Sequence, residues 1–328
     1  MITLRVFILV VINLLYFSAQ SEPAPTPDET LRAIVRVSSD VPSDARTAQS
    51  LGTQREGSGV VIDSGGLVLT VGYLILEASN AEVLSPEGKP VDADVVAYDH
   101  NTGFGLLRAK QPLKVKPLQL GESATLKMRD EVLVASYGGP GSVQGAYVAA
   151  RREFAGPWEY LLENAIYTTP PHASFGGAAL IGRKGRLLGI GSLYLQDVMP
   201  EHSPIPGNMF IPIDQLKPIL ADMISRGRSS GPARPWLGMY TQDFGGRLLV
   251  VRITPGGPAD QAGVRRGDMV VGVGGEAVKG LADFYRKIWS RGDAGVRVPV
   301  NVLQGTRVRN ITILSSDRYK YLKLKPRF

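Results

Sequence analysis

From Leu31 to about Ile213 the apolar residues come in short Val/Ile/Leu-rich runs, and clusters of Gly, Pro, Asn and Asp separate them. Residues 59–62, 67–70, 91–96, 131–135, 146–150 and 186–190 are such runs. Runs of four to six residues between turn signals predict an all-β barrel or sandwich. One helix stands out, over residues 215–226, where Leu216, Ile219, Leu220, Met223 and Ile224 recur at helical spacing. Asp214 is placed to cap its start, Pro218 falls in the first turn, and Gly227 supplies the left-handed residue that ends it. Residues 227–235 (GRSSGPARP) are small and polar with two prolines and read as a linker. The pattern then restarts as strand, Gly-rich turn and strand, continues through a second amphipathic helix near 281–291, and returns to strands up to Leu314. No internal repeat relates the two halves.

With 328 residues, 44% apolar and 20% charged, the chain buries a sizeable core in about two domains. Cysteine is absent, which removes disulfides, thiolate nucleophiles, Cys-based zinc sites and covalent haem attachment. The three histidines, His100, His172 and His202, are the only imidazoles available to any mechanism, and no two of them sit at metal-ligand spacing. No metal or cofactor is expected.

Of the net +7, an excess of +4 lies in residues 317–328, where Arg318, Lys320, Lys323, Lys325 and Arg327 face only Asp317. This basic tail reads as a solvated end in preference to a contact with an anionic membrane surface. Nucleic-acid binding has no motif behind it. At the other end, Arg5 precedes an apolar stretch from Val6 to Tyr16, and small residues Ser18, Ala19 and Ser21 follow. That run is too short to cross a bilayer comfortably and reads as a secretory signal peptide; an uncleaved anchor is the alternative. Either way the folded part is exported.

Several segments in sequence carry a resemblance. Residues 56–63 (EGSGVVID) and 66–70 (GLVLT), then 134–145 (VASYGGPGSVQG) and 185–191 (GRLLGIG), resemble the trypsin-fold domain of HtrA-type (DegP-like) periplasmic serine proteases. Residues 236–239 (WLGM), 255–259 (PGGPA) and 262–268 (AGVRRGD) resemble that family's PDZ domain. The resemblance implies a mainly β protein, a trypsin-like double β-barrel followed by a PDZ domain. The chain then divides into a signal peptide (1–21), a Pro-rich segment (22–30), a peptidase-fold domain (31–226), a linker (227–235), a PDZ domain (236–316) and a basic tail (317–328).

Trypsin-fold chemistry needs a serine nucleophile, a histidine to take its proton, a carboxylate to hold that histidine, and amides aimed at the oxyanion. At the positions the resemblance assigns to His, Asp and Ser this sequence has Tyr73, Gly103 and Gly176; matching the Gly-Gly pair instead puts Phe175 at the nucleophile. A phenol of pKa near 10 is a poor base at neutral pH, and glycine offers neither carboxylate nor hydroxyl. Ala173 or Ser174 replaces the usual glycine of the oxyanion loop. Ser174 with His172 is the one residual nucleophile pair, and an active endopeptidase built on it is the alternative reading. His100 reads as a surface residue and His202 as part of an exposed Pro-rich loop.

The PDZ resemblance implies capture of a peptide C-terminus as an added strand, its carboxylate held by the amides of Leu237, Gly238 and Met239, with the strand opened by Met239 and Tyr240 alongside. Leu281, Phe284, Tyr285 and Ile288 share one helix face, about half of them facing the core and the rest lining the groove. The expected protein is an exported, cofactor-free pseudo-protease that binds peptide C-termini and unfolded polypeptides as adaptor, scaffold or chaperone in the periplasm. Family members commonly form trimers through N-terminal aromatic residues. No aromatic lies between Ser21 and Gln54, so a homo-oligomer and a hetero-oligomer with an active relative both stay open.

Overall fold

A computed structural model describes residues 26–199 and 204–324. The signal-peptide reading and His202 fall outside these residues. Thr26 and Glu29 form a reciprocal capping box that starts helix α1 (Pro27–Arg32). Six strands follow: β1 (Ile34–Asp40), β2 (Gln54–Val61), β3 (Leu67–Val71), β4 (Asn80–Leu84), β5 (Pro90–Tyr98) and β6 (Phe104–Ala109), with a short helix α2 (Ala48–Leu51) between the first two. They close in the order β1-β2-β3-β6-β5-β4. A second barrel, β7 (Glu131–Ala135), β8 (Val143–Gly156), β9 (Tyr160–Thr169), β10 (Ala179–Ile181), β11 (Leu187–Leu195) and β12 (Gly207–Pro212), closes as β10-β11-β12-β9-β8-β7. Closure leaves neither sheet with an open edge, which is how short strands of this composition avoid pairing with other chains. Val37, Val60, Leu69, Phe104 and Leu106 fill the first barrel and share one core with Leu162, Tyr167, Ile190 and Ile211 of the second.

The barrels meet along a backbone seam. Ser58 of β2 donates its N–H to the Gly176 carbonyl at 2.8 Å, and its hydroxyl accepts from the Tyr137 amide at 3.0 Å. Gly177, at φ +75°, lies so close that a Cβ there would stand 1.8 Å from the Ser58 carbonyl oxygen. Two barrels therefore touch main chain to main chain beside the residues assigned to the nucleophile.

The helix expected over 215–226 is shorter. A 3-10 turn spans Ile213–Gln215, and α3 runs only Leu220–Arg226, ending as expected in left-handed Gly227. Asp214 does not cap it. Its carboxylate accepts instead from the Ser123 hydroxyl and the Ala124 amide across the domain, and Ile224 is exposed.

The second unit is a sheet in the order β13-β14-β15-β17-β18, built from β13 (Met239–Phe244), β14 (Arg247–Ile253), β15 (Met269–Val273), β17 (Arg297–Gln304) and β18 (Arg307–Leu314), with the short β16 (Glu276–Ala277) on β15. Helix α4 (Pro258–Gln261) follows β14, α5 (Leu281–Trp289) packs over the sheet, and α6 (Arg318–Tyr321) comes after the last strand. Leu281, Phe284, Tyr285 and Ile288 are all buried, partly in the core of the sheet and partly beneath the β8–β9 hairpin, whose Leu161 joins the same cluster and whose Gly156 and Glu159 bond the Tyr285 hydroxyl.

Two stretches read as loose are docked. In the linker, the Gly227 carbonyl accepts from the Tyr98 amide, Ser229 donates to Asp99 and Arg228 pairs with Asp317. The tail is not a solvated end as far as Leu324. Tyr319 donates to the Tyr98 carbonyl, Leu322 is buried beside Leu76 and Tyr98, and the Lys323 amide donates to Glu77. The aromatic residues of the tail, two of them on a single helical turn, outweigh the preference of its lysines for water.

Candidate functional site

Of the three positions assigned to a triad, Tyr73 and Gly103 line one cavity together with Phe175, and Gly176 lies against Tyr73 beside it. Tyr73, just after β3, is half-buried and donates its hydroxyl to the Ser192 carbonyl of β11 at 3.0 Å. A Cβ on Gly176 would stand 3.0 Å from that hydroxyl, so the two positions face each other across the barrels. Gly103 lines the same space, with φ +86° and a Cβ position 3.1 Å from the Tyr160 hydroxyl. The cavity, about 430 Å³, is walled by Val71, Tyr73, Trp158, Tyr160, Phe175 and Leu193. Burial pushes the Tyr73 phenol well above its ordinary value, and its proton is already committed to a carbonyl. It is a hydrogen-bond donor here, the reverse of the role a general base performs.

Ser174 and His172 do not pair. The Nε2 of His172 lies 3.0 Å from the Ser136 hydroxyl, its amide donates to Asn208, and Asn208 donates back to its carbonyl. Burial lowers the imidazole below its usual range. Ser174 is exposed and has no hydrogen bond among the described residues. Among those residues no cluster of His, Asp or Glu has metal-site geometry.

His100 is not a surface residue. Its Nδ1 lies 2.9 Å from the Tyr98 hydroxyl and its Nε2 2.7 Å from the Arg318 guanidinium, with the Tyr160 ring edge-on. Nε2 also lies 3.2 Å from the Glu159 carbonyl oxygen, but the guanidinium, which only donates, makes the shorter contact and favours a lone pair on Nε2 and the proton on Nδ1. Burial and then the Arg318 charge hold this imidazole neutral, well below its ordinary pKa. The same Arg318 donates to the Trp158 carbonyl at 2.7 Å, which ties the tail to the β8–β9 turn.

That turn supplies a residue that the pattern of the sequence did not single out. β8 and β9 pair along the hairpin as far as Gly156 and Tyr160, which carries the turn out of the barrel to the PDZ sheet. At its tip Glu159 is buried, with φ +57°. Its carboxylate accepts from the amides of Leu237 at 2.9 Å, Gly238 at 2.7 Å and Met239 at 3.0 Å. Gly238 reaches this geometry at φ +77°, with Trp236 and Thr254 packed against it. Tyr285 of α5 donates its hydroxyl to the Gly156 carbonyl at 2.7 Å and accepts from the Glu159 amide at 3.1 Å. Desolvation pushes Glu159 up to about 7, against the downward pull of the three amides and of Arg318. Tyr240 stands at the other end of the cavity, its ring under the Arg252 guanidinium. The carboxylate loop, the α5 face and the barrel cleft thus form one connected region. An exposed-looking Glu in a Gly-Pro-Trp-Glu turn gives no periodicity to mark it.

Two closed six-stranded barrels sharing a core, followed by a six-stranded sheet with a carboxylate-binding loop, define a trypsin-like peptidase fold joined to one PDZ domain. Residues 57–190 match the trypsin-like peptidase domain family and residues 235–314 the PDZ domain family. A probable periplasmic serine endoprotease DegP-like from Bartonella henselae is 24% identical over 276 residues, 78% of this chain and 52% of its own length. Its counterpart from Rhizobium meliloti is 26% identical, over 71% of this chain and 48% of its own length. Protease Do-like 1, chloroplastic, from Arabidopsis thaliana is 27% identical, over 79% and 63%. The chain spans about half the length of the bacterial relatives. Among solved structures, the serine endoprotease from Yersinia pestis superposes with TM-score 0.53 at 21% identity, over 89% of this chain and 98% of its own. The HtrA-type protease AlgW with tripeptide gives 0.52 at 18%, over 92% and 99%. The chain is an HtrA-family protein.

Proposed function

We propose that this is an exported HtrA-family protein that binds peptides or unfolded segments without cleaving them, an adaptor or chaperone of the periplasm. The observation that carries the reading is the pairing of Tyr73 with Gly176: where a base and a nucleophile would meet, a buried phenol donates to a carbonyl and faces a residue without a side chain. Loss of triad members typically lowers turnover by about 10⁴-fold or more, and here the base position holds a phenol that donates and the nucleophile position holds no hydroxyl. The alternative endopeptidase has no dyad to work with, since His172 is engaged by Ser136 and Ser174 has no orienting group. Periplasmic location is supported by the relatives, which are probable periplasmic serine endoproteases, and peptide capture by the tripeptide in the AlgW complex. The amides of Leu237, Gly238 and Met239 converge on a carboxylate already, which supports a groove built for that group.

The expected result with a fluorophosphonate probe is no covalent adduct, and casein incubated with the full chain stays intact. The Ser174→Ala variant is expected to behave identically. Labelling or cleavage that disappears in Ser174→Ala would overturn the reading.

A further inference from the structure

We infer that the PDZ groove is filled in cis by residues 156–159, so that Glu159 acts as a built-in ligand an incoming C-terminus must displace. This rests on the peptide-binding reading above and concerns regulation of that same groove.

The argument is one of register. A strand added to β13 repeats its backbone hydrogen bonds every second residue, so a carboxylate held by the amides of Leu237 to Met239 sets the carbonyl two residues upstream against the Thr241 amide. Pro157 lies two residues before Glu159, and its carbonyl accepts from the Thr241 amide at 3.0 Å. Pro157 has no N–H to return to the Thr241 carbonyl, so the strand bond here runs one way. The segment therefore occupies the loop and accepts from the strand as a bound peptide tail would, with a side-chain carboxylate standing for a terminal one.

Four further features make the fit more than a chance contact. Leu161, two residues after Glu159, is buried in the PDZ core with Leu237, Phe284 and Ile288, although it belongs to the barrel hairpin. Tyr285 bonds the segment at both Gly156 and Glu159. Glu159 itself is held in the left-handed region, which is unfavourable for a non-glycine residue and persists only where its surroundings fix it. Arg318 and His100 close the opposite side of the turn.

A groove that is open only part of the time binds with an affinity reduced by the open fraction. Two measurements on the full chain test this, using Glu159→Gly, which relieves the left-handed backbone, and Glu159→Gln, which keeps the shape. The first is amide hydrogen exchange with no peptide present: the amides of Leu237, Gly238 and Met239 are expected to exchange about tenfold faster in Glu159→Gly. Unchanged rates would overturn the plug. The second titrates a fluorescent peptide ending Ala-Ala-Phe with a free carboxylate, against the same peptide amidated. Binding of the free acid is expected to tighten about tenfold in both variants relative to the natural chain, with the amide weak throughout. Equal affinity in natural chain and variants would overturn the need for displacement. Failure of the free acid to bind any of the three chains would retire the C-terminal ligand reading, while the exchange rates still decide whether Glu159 occupies the loop.

Discussion

Adding one methyl group at Gly177 is expected to lower the melting temperature of the barrel pair by roughly 10 °C or more. The new Cβ would lie 1.8 Å from the Ser58 carbonyl oxygen and 2.8 Å from the Thr70 hydroxyl, and the Ser58 carbonyl is main chain that already accepts from Thr70. Backbone cannot rotate away as a side chain can. The residue also sits at φ +75°, where alanine costs about 1 to 2 kcal/mol before any clash is counted. Relief requires the loop 174–178 to leave the seam, breaking the Ser58 to Gly176 hydrogen bond and the bond from the Gly177 amide to the Gly191 carbonyl. A loss of about 4 kcal/mol or more is expected, which for a chain of this size lowers Tm by roughly 10 °C or prevents folding. Gly176→Ala is the control: its Cβ meets only the Tyr73 hydroxyl, the far end of a side chain, and a loss below about 1 kcal/mol is expected. Thermal melts of the two variants that coincide would show that the seam does not hold the barrels together.

The second large effect is a pair of opposed pH dependences that meet at the same turn. Glu159 has a folded pKa raised by desolvation to about 7 from its ordinary 4.5, so the folded state holds that proton more tightly than the unfolded chain. Its contribution is full below about pH 4.5 and is lost as pH rises toward 7. His100 is shifted the other way, well below 6.5, so its contribution is full above that value and is lost as pH falls. Protonating it would set an imidazolium against the Arg318 guanidinium. Between about pH 5 and 6.5 the two slopes, each up to about 1.4 kcal/mol per unit, oppose one another. The natural chain is expected to be nearly flat there as far as this pair decides. In Glu159→Gln the histidine slope stands alone, and stability should fall by about 1 kcal/mol per unit on acidification. In His100→Asn the carboxyl slope stands alone, and stability should fall as pH rises. Denaturant midpoints across this window should therefore diverge in opposite directions. Parallel profiles for the two variants would show that neither group titrates in contact with the turn.

The fold class was legible because both barrels and the PDZ sheet announce themselves in alternating Val/Ile/Leu runs and in glycine-bearing turns whose order matters more than any one of them. Tyr73, Gly103 and Gly176 are reached by counting from neighbouring strands, and the structure sets Tyr73 against Gly176. What escaped was set by distant packing. His100 follows a buried aspartate on a turn, and nothing local says that a residue at position 318 will bring a guanidinium to its ring. The helix near Leu216 was overextended because its apolar spacing suits a helix, while Asp214 is drawn off by Ser123 about ninety residues earlier in the chain. The tail was misread because charge dominates its composition, whereas Tyr319 and Leu322 decide its position. Glu159 is the sharpest case, since a single carboxylate in a hairpin turn carries no periodic signal and finds its partners some eighty residues away.

The hairpin of β8 and β9 ends in a turn that serves two addresses at once. Trp158 and Tyr160 point to the aromatic hollow between the barrels, and Glu159 between them points to the carboxylate loop. Thermodynamic linkage follows from that shared lever. An apolar chain segment lodging in the hollow and a tail lodging on the loop would each alter the other's affinity by an equal factor, strengthening or weakening it according to whether both favour the same position of the turn.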